Sequence, residues 1–188
     1  MATPLSGMQN RSGWSDIMGP QPIFLLDANA FIESAKRFYA LDIAPGYWNS
    51  LIKNATIGRV RSIDRIKIEI DKGQDHLTTW TNTHFSNHFE STNQPDVIGA
   101  YVSVMRWAQS QKQYTNAAQA EFASNADGWL VAHALAKRYV VVTLEQYNAD
   151  IKKRIKIPNA CQGVGVSNVT PFEMLRILKV RLELIGIL

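Results

Sequence analysis

The chain carries a single cysteine, Cys161, in 188 residues. One thiol cannot close an internal disulfide, which excludes the disulfide-stapled class of secreted domains. No run of eighteen apolar residues occurs, so a membrane-spanning helix is excluded on length. The opening MATPLSGMQNRSGW has no apolar stretch of signal-peptide length. The expectation is an intracellular, cytoplasmic protein with no membrane partner. Internal repeats are lacking, and so is a strong charge bias: 20 Lys and Arg stand against 16 Asp and Glu, a net +4. That mild excess permits an anionic partner without naming one. What is present is a hydrophobic content of 46%, enough for a real core in one domain of ordinary size.

Residues 1–22 are rich in Gly, Ser, Pro, Asn and Gln and have no periodicity, so they are expected to form a flexible extension ahead of a domain over 23–188. In IFLLDANAFI, residues 23–32, the apolar run to position 27 reads as a buried strand, and Phe31, Ala35 and Phe38 then take helical spacing. PGYWNSLIK predicts a second helix over 45–53, and RVRSI leads into DRIKIEIDKG, a third helix stopping at Gly73. HLTTWTNTHFSNHFE reads as helix, although its Thr and Asn content disfavours one. PDVIGAYVSVMRWAQSQ is a helix, with Tyr101, Val104, Met105 and Ala108 recurring at i, i+3, i+4 and i+7. A further helix is expected over about 125–137, then a strand in YVVVTLE and a short one in GVGVSNV. Thr170 as cap, Pro171 at the first position and Glu173 three residues after the cap form a capping box for the last helix. Its stripe of Met174, Leu175, Leu178 and Leu182 is core-facing. Strands alternating with helices predict an α/β fold with a mainly parallel central sheet.

Several acids break the apolar pattern. Asp27 terminates the first strand, at the carboxyl end where open α/β sheets bind ligands, and Glu145 ends VVVTLE in the same way. Asp127 opens a stripe shared with Leu130, Val131 and Ala134, although Ser124 and Asp127 also have the spacing of a capping box. Glu69 lies at the edge of the Ile63, Ile66, Ile70 stripe, where a solvated glutamate is the simpler account. Asn29 could cap the helix after Asp27, and Thr143 could be an ordinary β-branched strand residue. Taken jointly, converging carboxylates repel, and either raised pKa values or a hard cation with oxygen ligands must neutralise them. Mg²⁺ or Mn²⁺ is the natural occupant, and such a cation meets phosphate oxygens directly.

LLDANAFI, IKIEI, NADGWLVAHAL and VVVTLE, in that order, resemble the acid-bearing segments of a PIN domain, the small nuclease fold of VapC-type toxins. The likeness runs from about Ile23 to Leu182. The later run through KIPNACQGVGV to PFEMLR is similar to a poorly characterised bacterial PIN-like family. The resemblance implies a three-layer α/β/α sandwich, with Asp27, Glu69 and Asp127 as the acidic metal site and Glu145 in the fourth acidic position, where many PIN nucleases carry aspartate. It makes Asn29 and Thr143 supporting polar residues. The implied activity is metal-dependent endoribonuclease cleavage leaving 5′-phosphate and 3′-hydroxyl ends. The implied setting is the toxin of a type II toxin-antitoxin pair, with an antitoxin protein as partner and a homodimer as the usual assembly. The rival expectation is a PIN-like module without turnover that holds RNA or a protein.

For RNA contact the basic run Lys152, Lys153, Arg154 and Lys156 is the first candidate, with Arg59, Arg61 and Arg65 ahead of Glu69; a solvated basic face is the simpler account of both. His76, His84 and His88 lack the companions of a tetrahedral zinc set. Gly163 and Gly165 suit a turn better than a dinucleotide loop. Cys161 reads as a small buried hydrophobe; the five tryptophans could include a base-stacking platform, but core packing is the default for most of them.

Overall fold

The computed structural model describes residues 21–183. The extension expected over 1–22 therefore lies outside the described residues but for its last two. Of these, Pro22 is fixed through its carbonyl, which accepts from Arg59 Nε at 3.0 Å.

Five strands form one sheet: β1 (Phe24–Leu26), β2 (Val60–Ile63), β3 (Phe89–Glu90), β4 (Val140–Val142) and β5 (Asn168–Val169). Their spatial order is β3-β2-β1-β4-β5, and every neighbouring pair is parallel. The helices in chain order are α1 (Ala28–Glu33), α2 (Pro45–Thr56), α3 (Asp64–Asp71), α4 (His76–Trp80), α5 (Pro95–Ser110), α6 (Asn116–Ser124), α7 (Ala126–Lys137), α8 (Ile157–Val164) and α9 (Pro171–Ile177). All residues of β1 and β4 are buried. Successive strand side chains leave opposite faces, so the centre of the sheet is covered on both. This is the expected α/β/α layering around a parallel sheet. No helix among the described residues is long and apolar enough to cross a membrane.

The topology fixes where a site can form. From β1 the chain passes to β2 on one side and later returns to lay β4 on the other, so the strand order reverses at β1. Loops diverge there and leave a crevice at the carboxyl ends of the strands. Leu26 is in register with Val142, so Asp27 and Thr143 emerge side by side.

Several expected boundaries shift for physical reasons. α1 ends at Glu33, and residues 34–38 widen into a π turn that leaves Phe38 half exposed. The segment RVRSI contains β2, which the sequence reading passed over as a lead-in; Val60, Ser62 and Ile63 are buried, with Ser62 Oγ donating to the carbonyl of Leu26 at 2.7 Å. The long helix read from HLTTWTNTHFSNHFE is instead the single turn of α4, a π turn, a 3-10 turn and then β3. Edge-to-face packing of Phe85 on Phe31 at 5.3 Å pins that irregular stretch.

Two helices were not anticipated, α6 and α8. α6 is led by Thr115, whose side chain accepts from the Ala118 N–H. α8 contains Gly163, expected in a turn, and the missing side chain admits a neighbour: a Cβ there would stand 2.1 Å from the Trp107 ring on α5. Gly165, at φ +74°, ends α8 in the left-handed region as the sequence suggested. The capping box at Thr170 and Glu173 is present. α9 stops at Ile177, so Met174 and Leu175 are buried while Leu182 lies beyond the helix and is half exposed.

Candidate functional site

Asp27 follows β1 directly. Its N–H donates to the carbonyl of Val142 at 3.0 Å, continuing the sheet by one residue. It occupies the cap position of α1, yet its side chain makes no capping bond. Instead Asp27 Oδ2 accepts from Thr143 Oγ1 at 2.9 Å, and Thr143 Oγ1 in turn accepts from the N–H of Glu145 at 3.1 Å. Asp27 is 2% exposed. Burial pushes its carboxyl up to about 8, with the charges of Asp127, Glu145 and Glu69 adding to the rise and the Thr143 bond opposing it.

Asp127 stands in the first turn of α7. The capping-box account of it does not hold: the cap is Asn125, and Ser124 Oγ is turned back to the carbonyl of Glu121 at 2.9 Å. Its carboxyl is pushed up to about 6, by burial first and then by Glu145, against the opposing charge of Arg154. Asp27, Asn29, Glu69 and Asp127 line one cavity of about 380 Å³, together with Arg65, Lys72 and Arg154. Glu145 does not line this cavity, yet its charge and those of Glu69 and Asp127 all reach Asp27.

Glu145 is engaged at both oxygens. Oε2 accepts from the N–H of Ile157, the first residue of α8, at 2.8 Å, and Oε1 pairs with Arg154 at 2.9 Å. It sits on the 143–156 connection rather than on β4, which ends at Val142. Its extra methylene is used to reach the α8 N-terminus, which ties the 143–156 connection to α8. Arg154 also pairs with Asp127 Oδ2 at 3.6 Å. Of the basic run, Arg154 therefore turns onto the acids, whereas Lys156 Nζ donates to the Gln146 carbonyl at 3.2 Å and Lys152 and Lys153 are exposed.

The donor set is oxygen-only and anionic, which suits a hard divalent cation and no softer metal. As the side chains stand, no three His, Cys, Asp or Glu groups among the described residues are close enough to hold an ion. Among the described residues Arg154 is the cation paired directly with these acids, at Asp127 and Glu145.

Of the other basic residues, Arg59 is tied to Pro22 and also bonds Gln21. Arg61 joins a separate network with Glu90 at 3.3 Å and His88 at 3.0 Å, and the buried His133 completes it with a 2.7 Å contact to Glu90. Arg61 and His88 are thereby occupied away from the acids. Arg65 does reach the acid cavity. Its guanidinium lies 4.1 Å from the centre of the Trp129 ring, which stacks on Tyr101 at 3.8 Å. In the sequence Arg65 stands out only as one of a basic group, and Lys72 not at all, because neither spacing nor composition marks which surface cation lines the cavity. A second cavity, of about 740 Å³ and lined by Trp48, Trp80, Leu41, His76 and His84, contains none of these acids.

A family model described as Domain of unknown function (DUF4411) matches residues 24–182. No curated protein matches the chain. Among solved structures, a chain of VapBC2 from Rickettsia felis, bound to a DNA fragment from their promoter, is similar at 14% identity and a TM-score of 0.49, over 79% of this chain and 98% of that one. A chain of FitAcB from Neisseria gonorrhoeae is similar at 16% identity and a TM-score of 0.48, over 80% and 99%.

Proposed function

The chain belongs to the DUF4411 family, whose name assigns no activity, and from the site itself we propose a metal-dependent endoribonuclease that hydrolyses RNA phosphodiester bonds with Mg²⁺ or Mn²⁺. The observation that carries this reading is the burial of Asp27 at a strand-end crevice where Glu69 and Asp127 line the same cavity. A fold that places ionisable acids together and shields one from water has a charge deficit that a divalent cation neutralises.

In this reading Asp27, Asp127 and Glu69 hold the cation, with Asn29 at the cavity wall. When bound, the cation supplies Lewis-acid polarisation of a phosphate oxygen and lowers the pKa of water. Thr143 orients Asp27 by donating to Oδ2. Glu145 fixes the loop after β4 against α8, acting as a positioning residue. Arg65 and Lys72 offer positive charge at the cavity mouth, and the exposed Lys152 and Lys153 extend it along an RNA backbone, with Lys156 beside them. The likeness of the acid-bearing segments to VapC-type toxins supports a role as the toxin of a type II toxin-antitoxin pair, acting in the cytoplasm as a homodimer held in check by an antitoxin.

The test is cleavage of single-stranded RNA in Mg²⁺ or Mn²⁺ by the wild type, Asp27→Asn and Asp127→Asn, with end analysis of the products. Cation-dependent cleavage leaving 5′-phosphates, and a loss on the order of 100-fold or more in each variant, is expected. Equal rates would remove the acids from the chemistry and favour an RNA-binding module without turnover. Growth arrest on induction in bacteria, relieved by the product of the neighbouring gene, would separate a toxin from a housekeeping nuclease.

A further inference from the structure

We propose that Arg154 is an exchangeable cation of the acid cluster: its guanidinium neutralises Asp127 and Glu145 until a divalent ion enters, and is then released to the substrate phosphate. This rests on the metal-dependent reading above and adds a mechanism of cation exchange to it.

Three observations carry the inference. The Arg154 guanidinium contacts both acids through one nitrogen, at 2.9 Å to Glu145 and 3.6 Å to Asp127. Its side chain is 46% exposed, whereas those of Glu145 and Asp127 are 9% and 14% exposed. The anions are fixed inside and the cation approaches from the open side. Arg154 also lines the cavity that Asp27, Glu69 and Asp127 share.

The segment holding Arg154 suits such movement. It lies outside any helix or strand, between β4 and α8. Ile155 next to it is 1% exposed and anchors the backbone. A released side chain therefore swings about a fixed point and stays within reach of the cavity. Glu145 accepts the Ile157 N–H through its other oxygen, Oε2, so one acid keeps an anchor when the guanidinium leaves. A planar guanidinium matches phosphate oxygens as well as carboxylate ones. The exchange thus replaces one charge-assisted pair by another and leaves no cation buried without a partner.

The competition has a direct readout in metal binding without RNA. Mn²⁺ affinity of the full-length protein is measured by electron paramagnetic resonance of free Mn²⁺, for wild type, Arg154→Gln and Arg154→Lys, at one pH and ionic strength. Removing a positive charge that must be displaced should tighten Mn²⁺ binding at least about tenfold in Arg154→Gln, with Arg154→Lys close to wild type. Affinity for a non-cleavable single-stranded RNA in saturating Mn²⁺ should weaken in Arg154→Gln. Unchanged or weaker Mn²⁺ binding in Arg154→Gln, with circular dichroism and melting like wild type, would mean that Arg154 only props the acids and would overturn the proposal. If Mn²⁺ bound none of the proteins, the metal-dependent reading and this inference would both fail; if it bound all equally, only this inference would.

Discussion

Asp27→Asn is the substitution that most directly probes the electrostatics of the site, and it should stabilise the metal-free fold at neutral pH. Burial raises the Asp27 carboxyl from 3.8 to about 8. A group that holds its proton more tightly when folded favours folding fully below its unfolded pKa, and that contribution is lost as pH rises through the folded one. The window is therefore pH 3.8 to about 8. Each unit costs about 1.4 kcal/mol, so at pH 7 the penalty approaches roughly 4 kcal/mol as an upper bound, since side chains and water rearrange around a charging carboxylate. Asparagine keeps the shape and an oxygen to accept from Thr143, and it has no proton to lose. Thermal unfolding with a chelator present should show the variant melting close to wild type near pH 4 and above it at pH 7, by up to roughly 8–16 °C for a chain of this length. Saturating Mn²⁺ should raise the wild-type melting point and close much of the gap. A difference between the two proteins that stays constant from pH 4 to pH 8 would refute the claim that Asp27 is a buried, charge-strained acid.

Gly163→Ala places a Cβ 2.1 Å from Trp107; we expect roughly 1–3 kcal/mol of destabilisation by urea unfolding, and an unchanged midpoint would show that α5 and α8 are not closely packed there. RNA affinity, measured with Ca²⁺ in place of Mg²⁺, should fall as salt rises, and Arg65→Ala should reduce the log-log slope by about 0.7, the value for one single-strand phosphate contact. An identical slope would confine Arg65 to its contacts with Trp129 and the Thr92 hydroxyl.

The elements that were legible in the sequence are those whose burial imposes a pattern. β1 and β4 are apolar throughout because both faces are covered, and α5 repeats its apolar residues at helical spacing because one face is buried. The capping box at Thr170 was readable because its residue types and interval are both specific. β2 was not, since Arg61 interrupts it: the arginine reaches the Glu90 carboxylate of the next strand, a partner that local periodicity does not contain. α8 was hidden by glycines that look like a turn until Trp107 is seen filling the space. At the site, Asp27 and Asp127 were legible as acids that begin or end apolar stretches. The turn of Arg154 onto the acids was not, because a run of four cations within residues 152–156 looks the same whichever member meets them.

The backbone itself contributes positive potential to this crevice. Asp127 lies in the first turn of α7, and Glu145 accepts from the first N–H of α8. Helix N-termini favour ionised acids, each by about 0.3–1 kcal/mol, and up to roughly 2 kcal/mol where partly buried. Arg154 adds a full charge. With both contributions in place, Asp127 is still pushed up to about 6 and Asp27 to about 8. The fixed positive charge is therefore insufficient to keep both carboxyls ionised at neutral pH. A protein that needed only a stable fold would relieve that deficit at little cost with Asn at position 27. An acid at this position is intelligible if a further, movable positive charge is to be drawn in, and the Asp27→Asn comparison with and without Mn²⁺ measures that attraction directly.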